Sequence, residues 1–130
     1  MSVDKKMPIL IVDDVQFVRR EVKMLLRKLG FDNVDAAENG RQALEMMRSG
    51  KGYGLVISDW IMEPMSGIEL LQEIRRDENL RETPFIMITG NNQPENVIAA
   101  KKAGVSSYVV KPFNATTLKQ RLESVFGRIQ

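Results

Sequence analysis

The chain has 130 residues, 43% of them hydrophobic and 28% charged, with no cysteine, no histidine and a net charge of +2. That length suits one domain with a real core, and the even charge balance argues against a nucleic-acid-binding face. Disulfide and thiolate chemistry are excluded, no imidazole is present to act as base, ligand or phosphate carrier, and no run approaches the ~18 apolar residues of a membrane span.

The opening MSVDKKMP carries two lysines but no apolar stretch, so it is not a secretory signal. Residues 1–7 are expected to form a flexible tail on a single domain covering 1–130, with a cytoplasmic address. Ile9-Leu10-Ile11-Val12 then reads as a strand buried on both faces, running into Asp13-Asp14. Val15, Val18, Val22, Leu25, Leu26 and Leu29 recur at helical spacing and stop at Gly30. The basic residues between them, Arg19, Arg20, Lys23, Arg27 and Lys28, read as a solvated face.

Val34–Ala37 is a weaker strand whose charge suggests an edge. A helix over about 39–48 ends at Gly50, and Leu55-Val56-Ile57-Ser58 forms a third buried run ending at Asp59. The helix predicted at 66–76 places Ile68, Leu71 and Ile74 on one side. Phe85-Ile86-Met87-Ile88 runs into Thr89-Gly90. The next helix, about 94–103, has Pro94 in its first turn and Gly104 at its end. Val97 and Ile98 are its only large apolar anchors, so weak docking is expected. Residues 106–110 form the other edge strand, which leads into Lys111-Pro112. The final helix aligns Leu118, Leu122, Val125, Phe126 and Ile129, and no output domain is expected after it.

Alternating strands and helices predict an α/β fold, a doubly wound five-stranded parallel sheet with five helices. With edge strands at 34–37 and 106–110, the favoured strand order is the flavodoxin-like 2-1-3-4-5. All strand carboxyl ends then share one edge, where ligands sit in open α/β sheets. Asp13, Asp14, Asp59, Thr89 and Lys111 would meet there.

Neighbouring carboxylates are costly unless a cation lies among them. Mg2+ suits them, because it takes oxygen ligands and keeps positions open for water and phosphate. Asp59, at a central strand end, is placed to attack phosphorus and form an aspartyl phosphate, with Thr89 and Lys111 holding the remaining oxygens. Taken singly, these residues have plainer readings: Asp13-Asp14 as a helix cap, Thr89 as a loop cap and Lys111 as a surface lysine.

Together the motifs resemble the receiver domain of two-component response regulators, and within it the single-domain chemotaxis regulators. The likeness rests on VDD at 12–14, ISDW at 57–60, MSG at 65–67, ITG at 88–90 and AGVSSYVVKPF at 103–113, with Arg19-Arg20 in the first helix. It implies phosphorylation of Asp59 by a partner histidine kinase. The implied magnesium ligands are Asp14, Asp59 and the main-chain carbonyl of Ile61, with Asp13 acting through water. Thr89 and Tyr108 match the family's switch pair, and Lys111-Pro112 a peptide that is usually cis.

The implied output is a downstream protein, such as a flagellar motor switch, bound through the face of helix 4, strand 5 and helix 5. The implied protein is a phosphoacceptor that catalyses at most its own phosphorylation and dephosphorylation. The alternatives are a phosphate sink or kinase regulator, a magnesium-dependent aspartyl phosphatase, and a scaffold independent of phosphate. Two departures stand out. Glu63 takes the position where the family commonly has proline, with Pro64 following it. Ile61 replaces an often polar side chain and is expected to shield the acyl phosphate.

Overall fold

Runs of aliphatic residues too short for helices pair side by side, because only a sheet satisfies their backbone groups while both faces stay dry. In the computed structural model, which describes residues 4–90 and 94–128, they form β1 (Ile9–Val12), β2 (Val34–Ala37), β3 (Leu55–Asp59), β4 (Phe85–Thr89) and β5 (Ser107–Val110). The order is β2-β1-β3-β4-β5, as expected. Every pairing is parallel, with Ile9 opposite both Val34 and Leu55, Val56 opposite Phe85 and Ile86 opposite Ser107.

Five helices connect the strands: α1 (Gln16–Lys28), α2 (Gly40–Arg48), α3 (Gly67–Arg76), α4 (Pro94–Lys102) and α5 (Ala115–Phe126). The strand period of two sends alternate side chains to opposite faces. Ile9, Ile11, Ile57, Ile86 and Ile88 join Val22 and Leu26 of α1 and Leu118 and Leu122 of α5. Leu10, Val12, Val56, Phe85 and Met87 join Leu44 and Met47 of α2 and Leu70, Leu71 and Ile74 of α3.

Helix ends follow local chemistry. Gly30, at φ +99°, lets α1 close in a Schellman turn, with Gly30 N–H donating to Arg27 O and Phe31 N–H to Leu26 O. Phe31 is thereby delivered into the core, fully buried. Asn39 and Asn114 cap α2 and α5, and Ser66 with Glu69 forms a capping box on α3.

Several expectations are corrected. Asp4–Met7, assigned to a tail, forms a turn in which Met7 N–H donates to Asp4 O, and Met7 packs against the core. On α3, Leu70 is fully buried while Ile68 is half-buried. On α4, Ile98 is 53% exposed and the small Ala100 is the buried residue. Ile129 lies outside the described residues. Among the described residues, no helix is long and apolar enough to cross a membrane.

Candidate functional site at the carboxyl edge of the sheet

Asp59 is the last residue of β3 and is 8% exposed. Its Oδ1 accepts from the Trp60 N–H at 2.9 Å and from Lys111 Nζ at 3.3 Å. That position depends on Gly67. A Cβ there would stand 2.2 Å from the Asp59 carbonyl oxygen and 3.0 Å from Trp60 Cα, so no larger residue admits this approach. The Gly67 N–H donates to Trp60 O at 2.8 Å, closing the loop between strand and helix.

Asp13, just past β1, is fully buried. Its Oδ1 accepts from the Val15 N–H at 2.9 Å, so it does help start α1. Its carbonyl oxygen accepts from Arg19 Nη1 at 2.6 Å. Its Oδ2 is, among the described residues, a buried side-chain oxygen with no hydrogen-bond partner. Burial pushes the Asp13 carboxyl up to about 6, with the charges of Asp59 and Asp14 adding to the effect. The Val15 N–H and Lys111 oppose it.

Asp13, exposed Asp14 and Asp59 each offer a carboxylate oxygen, and these lie within 4.8 Å of one another. Three carboxylates facing one ammonium, with one oxygen orphaned in the interior, are a donor set suited to a hard divalent cation. Next to them a cavity of about 500 Å³ is walled by Asp59, Thr89, Gly90 and Lys111, together with Trp60, Ile61 and Asn96. Thr89 ends β4 and is buried. A Cβ on Gly90 would meet nothing within 4 Å, so that wall is open.

The sheet thus gathers Asp13, Asp14, Asp59, Thr89 and Lys111, with Ile61 on the cavity wall. Tyr108 is apart from it. The ring is half-buried against the α2–α3 core, and the Arg121 guanidinium lies 5.2 Å from its centre. Lys111–Pro112 is cis, as is Glu63–Pro64 in the loop where the sequence departs from the usual pattern. Asn96 carried no sequence signal beyond being polar in the first turn of α4, and Arg19 was marked by the Arg19-Arg20 motif and the basic stripe but not as a partner of the Asp13 carbonyl.

A five-stranded parallel sheet that brings an acidic trio, a hydroxyl and a lysine to one edge defines an α/β module built around a carboxylate cluster suited to a metal ion. The chain belongs to the response regulator receiver domain family, whose profile matches residues 9–123. It is 48% identical over 126 residues to chemotaxis protein CheY-3 of Vibrio cholerae, covering 97% of this chain and 96% of that one. The solved structure of the chemotaxis response regulator CheY4 of Vibrio cholerae superposes with a TM-score of 0.85 at 32% identity, over 93% of this chain and 99% of that one. The receiver domain of a Pseudomonas aeruginosa sensor histidine kinase, solved with magnesium coordinated in its active-site cleft, gives 0.83 at 28% identity, over 95% and 99%. The protein is a signalling protein of the response-regulator type.

Proposed function

We propose that this protein is a single-domain receiver of a cytoplasmic two-component phosphorelay, in which Asp59 takes a phosphoryl group from a phosphohistidine on a partner kinase. The observation that carries the reading is the Asp59 carboxylate, held by Lys111 and the Trp60 N–H beside Asp13 and Asp14. The chain has no histidine of its own, so the phosphohistidine belongs to the kinase. A carboxylate oxygen of Asp59 forms the new bond to phosphorus as the phosphorus–nitrogen bond breaks, and the freed imidazole takes up a proton from solvent.

Asp13, Asp14, Asp59 and the main-chain carbonyl of Ile61 are the proposed Mg2+ site. Bound Mg2+ neutralises charge on the phosphoryl oxygens. Lys111 and the Thr89 hydroxyl hold those oxygens from the other side. The chain supplies this machinery itself, so it catalyses its own phosphorylation and phosphate loss.

Thr89 moving toward the phosphoryl group frees space beside β5, and Tyr108 turns inward. That changes the surface formed by α4, β5 and α5, where a target protein binds. Moving such an equilibrium from mostly off to mostly on takes on the order of 5 kcal/mol of differential stabilisation. The similarity to chemotaxis proteins supports a target at the flagellar motor switch.

Incubation with Mg2+ and acetyl phosphate, followed by binding to the isolated motor-switch protein, tests the reading. A stable single adduct that raises target affinity is expected. Continuous phosphate release would indicate a phosphatase, an unreactive protein a scaffold, and an adduct without target binding a phosphate sink or kinase regulator. A phosphorylated Tyr108→Ala variant that engages its target normally would remove Tyr108 from the switch.

A further inference from the structure

Helix α4 borders a second opening besides the Asp59 cavity. A groove of about 450 Å³ lies between α3 and α4, lined by Gln72, Arg75 and Arg76 on one wall and Ala99, Lys102 and Ala103 on the other. No carboxylate lines it. Arg75 is held by carbonyls alone: its Nε donates to Gly104 O at 3.0 Å, and its Nη1 to Arg81 O at 3.0 Å and Thr83 O at 2.6 Å. These neutral acceptors fix the guanidinium, and Glu82, though it forms no ion pair with Arg75, lies near enough to offset part of its charge.

Arg76 reaches Glu73 at 3.2 Å in an exposed pair of the kind worth little in water. Among the described residues, Lys102 and its neighbour Lys101 have no acidic partner. The groove is therefore a positively charged cleft with one wall already rigid.

We propose that this cleft docks an acidic peptide segment of a partner protein. Cations on both walls supply the charge complementarity, and the two alanines leave room for a chain. The lining comes from the carboxyl-terminal turns of α3 and α4, where carbonyl ends carry partial negative charge and no free helix amides point outward. Such a site offers no amide cradle for a compact phosphate, and its side-chain cations, spread over two walls, match single carboxylates spaced along a chain. It contains no aromatic ring on which a nucleobase could stack. Asn96 of the same helix walls the Asp59 cavity, so α4 borders both openings. The docking itself does not depend on phosphorylation.

The test is a nitrogen-15 NMR titration of the whole protein with a short acetylated poly-glutamate peptide. Shifts should concentrate at Gln72–Arg76 and Ala99–Ala103 and fade with added salt. The double variant Arg76→Gln, Lys102→Gln should weaken binding about five-fold, whereas Arg20→Gln, Lys23→Gln on α1 should leave it unchanged. Equal losses from the two double variants, no binding, or tighter binding of tripolyphosphate at the same residues would each overturn the proposal.

Discussion

Asp13 does two jobs with one carboxylate: Oδ1 starts α1 through the Val15 N–H, and Oδ2 is left buried and unpartnered beside two further acids. Its folded pKa is raised to about 6, so the neutral form contributes stability that is complete below about 4 and is lost as pH rises through about 6. Below that upper value, a divalent cation must displace a proton to bind. Mg2+ affinity, followed by the fluorescence of Trp60 on the cavity wall, should therefore fall as pH drops below about 6, and Asp13→Asn should remove that dependence. An affinity that is flat across this interval in the unsubstituted protein would contradict the assignment.

Ile61 shares the cavity wall with Asp59 and is 80% exposed, and its expected shielding of the acyl phosphate is open to direct test. Ile61→Asn should shorten the lifetime of the phosphorylated protein several-fold, measured by loss of radiolabel. An unchanged lifetime would remove the shielding role. The strand-end residues were legible because each closes an apolar run. Asn96 was not, and neither was the contact of Arg19 with the Asp13 carbonyl, since helical spacing marks both residues only as polar and the fold decides what lies beside them.

At the scale of elements, an ionic latch ties the loop before β3 to the edge strand β2. Asp35 Oδ2 accepts from the Tyr53 hydroxyl at 2.6 Å and from Lys51 Nζ at 2.5 Å. Lys51 and then Tyr53 hold the Asp35 carboxyl below its ordinary range, while burial and Asp35 push the Tyr53 phenol up. The depressed acid contributes stability above about pH 4 that is lost as pH falls through its folded value. Tyr53→Phe should cost about 1 kcal/mol in chemical denaturation and raise the Asp35 pKa. No change in either would show that the latch is idle. The charge in β2 signalled an edge but not this latch, whose partners are distant in sequence.

Helix α4 differs from its neighbours. Its weak anchoring was legible from the scarcity of large apolar residues, but Ile98 was assigned the wrong side and Ala100 is the buried contact. Hydrogen exchange should open α4 before α3, whose Leu70, Leu71 and Ile74 are fully buried. Equal protection of the two helices would argue against α4 as the mobile element of the switch.

For the whole molecule, the parallel sheet and its order could be read from five apolar runs because strands buried on both faces leave almost unbroken aliphatic sequence. The core was less legible where loops supply it. Phe31, Tyr53 and Met62 are all buried, yet none lies on a periodic stripe, because turn geometry rather than spacing carries them inward. The same sheet makes the site. Its parallel strands deliver Asp13, Asp59, Thr89 and Lys111 to one edge, which sets the proposed phosphoacceptor beside the elements of the proposed switch. The decisive measurement is phosphoryl uptake from acetyl phosphate with Mg2+, read by intact-protein mass spectrometry. The unsubstituted protein should gain one phosphoryl group and Asp59→Asn none, whereas equal uptake by the two, or none by the unsubstituted protein, would contradict Asp59 as the acceptor.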